Sequence, residues 1–436
     1  MYYLHILIAV MACGGFFWIN KDVFLINLKE FRMLSEQTLS LVKATVPVLQ
    51  QHGVALTSHF YQRMFQHNPE LKNLFNQGHQ HSGQQQQALA GAVLAYAQHI
   101  EDPSPLLPVL TRVAHKHVSL GIRAEHYPIV GNHLLASIRE VLGDAAGDDL
   151  IQAWAEAYRL LADTLIGIEN AMYRDATNAD GGWSGWRPFR VARKVEESEE
   201  IASFYLAPCD GGALPSFKPG QYVSVKRFVA EWGLNQTRQY SLSDAPNGEC
   251  WRISVKREDA AEGKPAGRIS NLLHREVSEG DVLELTSPQG DFFLHEDRNG
   301  PVVLISAGVG QTPMQAMLGQ LLKRGQREVR FLHAARHGGA HAMGWQVRQL
   351  AERHPQLQIH VRYEAPRAQD ALGIDYHAAG RLNLDEVKDL ALLPDADYYL
   401  CGPLGFMRAQ RDSLRRLGVP AERIHYEVFG SHPGGD

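Results

Sequence analysis

The chain has 436 residues, of which 44% are hydrophobic, 21% charged and 9% aromatic. At roughly 150 residues per domain this length predicts about three domains. The composition excludes a disordered chain, because each domain can bury a core. The formal charge is −5, from 43 basic and 48 acidic residues. This balance argues against nucleic-acid binding, which requires a basic excess or a basic stripe.

The four cysteines are far apart, and none belongs to a Cys-x-x-Cys pair. That spacing excludes the usual cysteine-ligated iron–sulfur clusters and argues against a structural zinc site. Scattered single thiols are typical of a reducing compartment, so we expect a cytoplasmic protein.

Residues 1–32 form an apolar N-terminal extension that ends in a few basic residues. A secretory signal carries positive charge before its apolar stretch, and here the only candidate is His5. The run just reaches the roughly 20 residues of a membrane span. The alternative is an over-extended start or dispensable tail, with Met33 as the true first residue. In either case we expect the remainder in the cytoplasm, without a membrane partner.

Residues 35 to about 176 show only the apolar spacing that is typical of helices, and we assign a helical domain to residues 33–177. Ser35 can cap the first helix, and Gly53 is predicted to begin the second. The predicted helices cover residues 35–49, 53–68, 84–100, 106–120, 125–142 and 148–173.

A turn-rich linker at residues 178–183 separates this region from a second one, which we assign to residues 184–297. Its short alternating segments predict a small antiparallel β-barrel with one short helix. From residue 298 to 436, apolar strands alternate with helices, which is typical of a doubly wound parallel α/β sheet. The predicted strands are 189–195, 201–206, 222–225, 238–242, 251–256, 282–286, 302–306, 329–334, 359–363 and 398–400.

His117 falls at helical spacing with Leu110, Val113 and Ala114, so it projects from an apolar helix face. A lone histidine there is more often a core residue bonded to a carbonyl than a ligand. Other side chains favour a haem pocket, because an aromatic residue stands at a corner and further residues lie on the flanking helices. These are Phe75, Tyr61, Gln85 and Leu89.

The segments HFYQRMFQHNPELKNLF, AHKHVSLGI, EHYPIVGNHLL and GGWSGWRPF resemble the globin domain of the flavohaemoglobins. The resemblance extends from about Met33 to Gly430 through all three domains. It implies an all-α globin domain with haem b, an antiparallel β-barrel domain with FAD, and a ferredoxin-reductase-like α/β domain for NAD(P)H.

The resemblance implies that His117 is the proximal ligand of the haem iron, with Tyr127 and Glu169 holding its N–H. An anionic acceptor makes the imidazole more basic, which favours chemistry on O₂ over simple release. For Glu169 the alternative is a solvated helix face. Lys116, beside the ligand, would tune its environment.

On the opposite side of the haem, the resemblance implies that Tyr61 donates its O–H to dioxygen. Gln85 would lie close by, and Leu89 would form an apolar wall. The alternative for Tyr61 is a core tyrosine whose hydroxyl is already satisfied.

Pro219-Gly220-Gln221-Tyr222 and Arg238-Gln239-Tyr240-Ser241 match flavin motifs of the ferredoxin-reductase-like family. Arg238 would hold the FAD phosphates, Tyr240 would face the isoalloxazine and Ser241 would bind the ring edge. Gly267 and Ser270 begin the short helix, whose N-terminus suits a pyrophosphate. Lys264-Pro265-Ala266-Gly267 departs from the Gly-Gly pair that related chains often carry there.

The C-terminal Glu427-Val428-Phe429-Gly430 resembles the family segment that covers the flavin. Phe429 would be the stacking ring, although an aromatic residue near the end of the chain can equally serve packing alone.

A glycine turn follows the first predicted parallel strand, and a backbone of this kind can approach a dinucleotide pyrophosphate. The turn reads Gly308-Val309-Gly310-Gln311-Thr312-Pro313, in which Thr312 can add a hydroxyl. Taken alone, a glycine turn of this kind is as often a tight structural turn as a nucleotide-binding one. A later strand leads into Cys401-Gly402-Pro403, which in the family lies beside the nicotinamide. No residue identifies a 2′-phosphate, so the choice between NADH and NADPH stays open.

Flavin can link a two-electron donor such as NAD(P)H to a one-electron haem, so the three cofactors would form an electron relay. The resemblance implies a nitric oxide dioxygenase: two NO, two O₂ and one NAD(P)H give two nitrates. Its partners would be NO and O₂, and we expect a monomer. Two alternatives stay open: an NAD(P)H-dependent reductase of flavin, ferric compounds or hydroperoxides, and a haem-based gas or redox sensor.

Overall fold

A computed structural model of the chain describes residues 34–262, 265–325 and 327–429. The N-terminal extension predicted at residues 1–32 and the site residue Gly430 lie outside the described residues. Within the described part, no helix is both long enough and apolar enough to cross a membrane.

The first part of the chain is helical, as predicted. Ser35 caps the first helix, because its Oγ accepts a hydrogen bond from the N–H of Thr38 at 3.0 Å. The helices are α1 (Glu36–Ala44), α2 (Val46–His67), α3 (Gln77–His81), α4 (Gln84–Gln98), α5 (Leu107–Leu120), α6 (His126–Leu142) and α7 (Asp148–Asn178).

The predicted boundary between the first two helices is wrong. The break lies at Thr45, and α2 continues through Gly53. Pro47 stands in the first turn of α2, where its missing N–H leaves no hydrogen bond unmade. Gly53 has another role. A Cβ built there would lie 3.4 Å from the Cβ of Ala90, so its small size lets α2 pack closely on α4.

Two apolar clusters fill the helical part. The larger one joins α2 to α4, α6 and α7 and includes Phe60, Met64, Tyr96, Ile138 and Trp154. The smaller one lies between α5, α6 and α7 and includes Leu110, Ala114, Tyr127, Leu165 and Ile168.

The middle part is an antiparallel β-barrel, which confirms the prediction. Its strands are β1 (Arg187–Glu196), β2 (Ile201–Pro208), β3 (Tyr222–Val229), β4 (Leu234–Ser241), β5 (Trp251–Lys256) and β6 (Val282–Leu285), in the order β4-β3-β6-β1-β2-β5. Just beyond β4, Leu242 pairs with Ile253, and the N–H of Ser243 donates to the carbonyl of Arg252 at 2.8 Å. These contacts join β4 to β5 and close the barrel. Helix α8 (Arg268–Glu276) contributes Ile269 and Leu273 to the same core.

The last part is a parallel sheet with helices on both faces, again as predicted. Its strands are β7 (Val302–Ala307), β8 (Val329–Ala335), β9 (Leu357–Tyr363), β10 (Ala378–Ala379), β11 (Asp397–Cys401) and β12 (Ile424–Glu427). Their order is β10-β9-β8-β7-β11-β12. The helices are α9 (Gln311–Arg324), α10 (Gly344–Arg353), α11 (Lys388–Ala391) and α12 (Leu404–Arg416).

The order of the strands locates a candidate ligand site. From β7 the chain builds outward to β10, and then returns to the other side of β7 with β11. The direction of construction therefore reverses between β7 and β11. In open α/β sheets, ligands bind in the crevice outside the carboxyl ends of the strands at such a switch point.

Candidate active site

His117 lies in the last turn of α5 and is held by two other helices. Its Nδ1 is 2.7 Å from Oε1 of Glu169 on α7 and 3.1 Å from the hydroxyl of Tyr127 on α6. That hydroxyl donates to the same Glu169 oxygen at 2.5 Å. Glu169 is 2% exposed, and a buried carboxylate is tolerated where hydrogen bonds satisfy it. Because a carboxylate only accepts, Nδ1 carries the proton and Nε2 is left to bind a ligand.

The surroundings of Tyr127 keep its phenol protonated. Burial, together with the negative charge of Glu169, raises the pKa of Tyr127 well above its ordinary value. The hydroxyl of Tyr158 donates to the backbone carbonyl of Tyr127 at 2.7 Å and helps to fix its position. Tyr158 is a site residue that sequence reasoning missed, since nothing in the local pattern distinguishes it from a core tyrosine.

The environment of His117 fits a protein ligand of haem iron. Its side chain is 31% exposed although the carboxylate that anchors it is almost completely buried. The imidazole is therefore fixed at one edge and open at the other. A neutral imidazole nitrogen is a common metal ligand, and a carboxylate on the second nitrogen sets the tautomer and the ring orientation.

The residues predicted for the oxygen side lie around α2 and α4. Tyr61 is 6% exposed, and its ring centroid is 5.7 Å from that of Phe75. Burial raises the pKa of the Tyr61 phenol, so it is a hydrogen-bond donor at neutral pH. Phe75 and Leu89 pack in the same apolar cluster as Tyr61. The amide oxygen of Gln85 accepts a hydrogen bond from Gln80 at 2.8 Å.

The two flavin motifs come together on adjacent strands of the barrel. Tyr222 on β3 lies opposite Ser241 on β4, and the register brings Gln239 opposite Ser224. Ser241 is 6% exposed, and among the described residues its hydroxyl has no hydrogen-bond partner. A buried polar atom without a partner costs free energy, so this hydroxyl fits a bound ligand. Arg238, two residues from Tyr240, lies on the same strand.

The N-terminus of α8 is braced internally. Gly267 is its N-cap residue, and the hydroxyl of Ser270 donates to the carbonyl of Gly267 at 3.1 Å. The same hydroxyl accepts from the N–H of Glu258 at 3.2 Å. Ser270 thus orders the turn in which a pyrophosphate was predicted.

The helix that carries His117 packs directly on the barrel. Lys116 Nζ donates to Gln239 Oε1 at 2.5 Å, and the N–H of Asn235 donates to Asn73 at 2.8 Å. Desolvation by the surrounding protein, together with the charge of Arg238, lowers the pKa of Lys116 to about 8. The residue as a whole is nevertheless exposed. The flavin motif therefore reaches the residue next to the predicted haem ligand.

The C-terminal segment returns to this region. Burial, with repulsion from Asp291, raises the pKa of Glu427 to about 8, and attraction from Lys116 opposes the shift. Its Oε2 is buried and has no hydrogen-bond partner among the described residues. Val428 is half-buried, and Phe429 is 40% exposed. Stacking of Phe429 on a flavin stays a prediction.

The two glycine-containing turns meet at the switch point between β7 and β11. A Cβ on Gly310 would lie 2.3 Å from the carbonyl oxygen of Cys401, and a Cβ on Gly402 would lie 3.2 Å from the Cβ and the backbone nitrogen of Ala307. Only residues without side chains allow this approach. Cys401 is fully buried, which raises the pKa of its thiol.

The residues after Gly308 and Gly310 form the start of α9. Thr312 donates its hydroxyl to the carbonyl of Val309 at 3.0 Å, and Gln311 donates to the carbonyl of Ala342 at 2.8 Å. Pro313 is buried in the first turn of the helix, and Pro403 is the N-cap residue of α12. The first turn is thus ordered by a hydrogen bond within the turn and by another to the segment after β8.

Comparison with known proteins identifies the family to which this chain belongs. The Globin family matches residues 58–165, and the Oxidoreductase NAD-binding domain family matches residues 304–412. A flavohemoprotein of Chromobacterium violaceum is 87% identical over 404 residues, which cover 93% of this chain and 100% of the relative. The chain belongs to the flavohaemoglobin family.

Other flavohaemoglobins agree. A flavohemoprotein of Bordetella parapertussis is 60% identical over 402 residues, covering 92% of this chain and 99% of that relative. The crystal structure of a Malassezia yamatoensis flavohemoglobin with bound FAD and heme covers 91% of this chain and 100% of its own, with 29% identity and a TM-score of 0.79. The FAD/NAD-binding domain of a Vibrio cholerae nitric oxide dioxygenase covers 56% of this chain and 98% of its own, with 42% identity and a TM-score of 0.51.

Proposed function

We propose that this flavohaemoglobin is an NAD(P)H-dependent nitric oxide dioxygenase that removes NO. Two NO, two O₂ and one NAD(P)H give two nitrate ions, one NAD(P)⁺ and one proton. The observation that carries the proposal is the His117–Glu169–Tyr127 network, which lies one residue from the contact between Lys116 and Gln239. An imidazole held by an anion, next to a flavin-binding strand, suits an oxygen-using haem that is supplied with electrons within one chain.

The cofactors that fit these residues are haem b, FAD and NAD(P)H, and the Malassezia relative contains FAD and heme. When bound, the flavin divides the electron pair of NAD(P)H into single electrons and the haem uses them on O₂. His117 would be the protein ligand of the iron. The strands β3 and β4 would hold the flavin, and the switch point between β7 and β11 would hold the nicotinamide nucleotide.

On the proximal side, the protein acts through the ligand. Glu169 accepts the Nδ1 proton in a strong charge-assisted hydrogen bond and makes the imidazole a better electron donor. Tyr127 stays protonated and donates a hydrogen bond to the same carboxylate oxygen. This arrangement favours reaction of O₂, whereas a storage globin would have to release O₂ unchanged.

On the oxygen side, Tyr61 has the properties of a donor to the oxygen substrate. Its phenol stays protonated because it is buried, and Phe75 and Leu89 exclude water around it. A hydrogen bond aimed at an oxygen that gains negative charge is worth more in such an apolar pocket than in water. Tyr61 would therefore hold the oxygen substrate until NO arrives.

In the reductase part, each side chain has a positioning role. Arg238 would offer a guanidinium fork to the FAD phosphates, and Ser241, whose hydroxyl has no partner among the described residues, would offer that hydroxyl to the ring edge. The backbone around Gly308 and Gly310 would bind the pyrophosphate of the nucleotide, with Cys401 behind it. The barrel contacts α5 through Gln239 and the end of β8 through Glu200, so it would pass electrons from the nucleotide side toward α5.

The absorption spectrum of the purified protein tests the proposal, recorded before and after NADH and then with NO in air. We expect haem and flavin bands, an oxygenated ferrous haem spectrum after NADH, and NADH consumption that depends on NO and yields nitrate. The Tyr61→Phe variant should lose most of its NO turnover while NADH-dependent flavin reduction persists. A flavin spectrum without haem, or equal loss of both activities in the variant, would contradict the assignment and favour a simple reductase.

A further inference from the structure

An ion pair crosses from the barrel to the end of strand β8. Glu200, in the turn between β1 and β2, places Oε2 2.6 Å from Nη2 of Arg336, the first residue after β8. The Glu200 side chain is 16% exposed, whereas that of Arg336 is 60% exposed. The carboxylate is therefore fixed by its surroundings, and the guanidinium extends toward it from solvent.

This pair borders the glycine turn. Strands β7 and β8 are parallel, with Ala307 opposite Ala334, so Arg336 leaves the sheet at the same edge as Gly308. Ile201, which follows Glu200 in the chain, packs with Ala342 and Met343, and Val309 of the glycine turn packs against this group. Glu200 is thus anchored beside the turn predicted to hold the nucleotide pyrophosphate.

Position in a βαβ unit gives this location a chemical meaning. β7, the glycine turn, α9 and β8 form such a unit. In dinucleotide-binding units, an acidic residue beyond the glycine turn accepts from the ribose 2′-hydroxyl of NAD, or an arginine nearby accommodates the 2′-phosphate of NADP. Arg336 stands just after the second strand of this unit, and its partner Glu200 is supplied by the barrel, from an earlier part of the chain.

A second ion pair limits the movement of the turn that carries Glu200. Arg367 forms a two-pronged pair with Glu199, with Nη2 3.0 Å from Oε2, and also contacts Nε2 of His337 at 2.9 Å. The N–H of Glu199 donates to the carbonyl of Gly339 at 2.9 Å. The pairing with Arg367 lowers the pKa of Glu199. These contacts hold the turn against the loop after β8.

We propose that Glu200 is a specificity-determining residue that selects NADH over NADPH by occupying the guanidinium of Arg336. A 2′-phosphate carries a charge of about −1.5 to −2 at neutral pH. It would be repelled by the carboxylate of Glu200, which already occupies the arginine that would otherwise bind the phosphate. A 2′-hydroxyl can instead donate to Glu200. The inference rests on the proposed oxidation of NAD(P)H and is independent of the reaction with NO.

The test replaces Glu200 by glutamine, which keeps its shape and removes its charge. Glu328→Gln is the matched control, because Glu328 pairs with Arg330 on β8, near the strand end opposite Arg336. The full-length protein with its cofactors is assayed for ferricyanide reduction with NADH and with NADPH. Calorimetry with adenosine 2′,5′-bisphosphate and with ADP then measures binding without turnover.

For Glu200→Gln we expect the NADPH-to-NADH ratio of kcat/KM to rise about tenfold, because like charges across a contact disfavour binding. Binding of adenosine 2′,5′-bisphosphate should tighten by a similar factor, while ADP changes about twofold or less. Glu328→Gln should match the wild type. Adding Arg336→Gln to Glu200→Gln should cancel the gain.

Arg336→Gln alone gives a second test that does not depend on folding of the Glu200 variant. It should lower the NADPH-to-NADH ratio of kcat/KM below that of the wild type, since Glu200 then repels the phosphate unopposed. Equal ratios in Glu200→Gln and Glu328→Gln, or a gain that persists without Arg336, would overturn the proposal. Failure to bind either probe or to oxidise either nucleotide would overturn it together with the nucleotide site. Loss of nitrate formation alone would count only against the dioxygenase.

Discussion

Lys116 Nζ and Gln239 Oε1 lie 2.5 Å apart, although 123 positions separate the two residues in the chain. Lys116 is the neighbour of His117 on α5, and Gln239 is part of the flavin motif on β4. One hydrogen bond thus spans the boundary between the predicted haem and flavin sites. We therefore predict that electrons pass from the flavin site to the haem site near this contact.

We expect Lys116→Met to slow haem reduction by NADH, since it removes the contact with Gln239 and a positive charge between the two sites. The loss should be about tenfold, the scale of one charge-assisted hydrogen bond. Stopped-flow absorbance at the haem band measures it, and ferricyanide reduction should be unchanged. Lys43→Met, which breaks an exposed ion pair with Glu101 on the helical part, is the control. Equal rates in both variants would disprove the role of Lys116.

Glu169→Gln should weaken the electron donation of His117, because a neutral amide is a poorer acceptor than a carboxylate. We expect NO turnover to fall roughly 10- to 100-fold, as is common for groups that orient a metal ligand. The Fe–histidine stretching frequency of the ferrous protein, from resonance Raman spectra, should decrease. Glu156→Gln on the same helix removes a half-buried carboxylate that accepts hydrogen bonds from Thr38 and Gln152 and does not contact His117, so it should change neither quantity. An unshifted frequency in Glu169→Gln would refute the proximal network.

Gly310→Ala should disrupt the nucleotide site. The added Cβ would lie 2.3 Å from the Cys401 carbonyl oxygen, a backbone atom that cannot move away easily. We expect kcat/KM for NADH to fall more than about tenfold, the effect of displacing a reacting group by a fraction of an ångström, with FAD content retained. Gly405→Ala is the control, because its Cβ would meet open space. A Gly310→Ala variant with normal NADH oxidation would show that the turn is only structural.

The raised pKa of Glu427 predicts a pH dependence of stability. In the folded chain this carboxyl has a pKa of about 8 and stays protonated up to about that pH. In the unfolded chain it loses its proton near pH 4.5, its ordinary pKa. Folding therefore binds a proton in that window, and stability decreases as pH rises toward 8. Relative to Glu427→Gln, the wild type should lose several degrees of Tm between pH 5 and pH 8, because this three-unit window corresponds to at most about 4 kcal/mol at about 1.36 kcal/mol per unit. Parallel Tm curves for the two proteins would contradict this.

Much of the fold could be predicted, because its signals are local. Strands such as Ile201–Pro208 and helices such as Leu107–Leu120 follow from apolar period, and Gly121 marks the end of α5. The sequence pattern places the boundary between α1 and α2 wrongly, because Gly53 resembles a helix break but serves close packing on Ala90. Strand β12 was not predicted, because its four residues are too few to show a period.

The candidate site divides in the same way. His117, Tyr127 and Glu169 were identified from the family resemblance, and the structure brings all three within hydrogen-bond distance. The bracing of Tyr127 by Tyr158 could not be predicted, since a tyrosine on a long helix has the same local pattern whether or not its hydroxyl is used.

The amino-acid sequence alone was enough to predict the three structural classes, the family and most of the residues proposed to hold the cofactors, because helical period, strand alternation and motif spacing act over a few positions. Which distant side chains meet became visible only in the folded chain. The pairs Lys116–Gln239 and Glu200–Arg336 each join parts of the chain more than a hundred positions apart. Such contacts depend on how finished helices and sheets pack, and a hydrogen bond or ion pair acts over a few ångströms of space rather than along the chain.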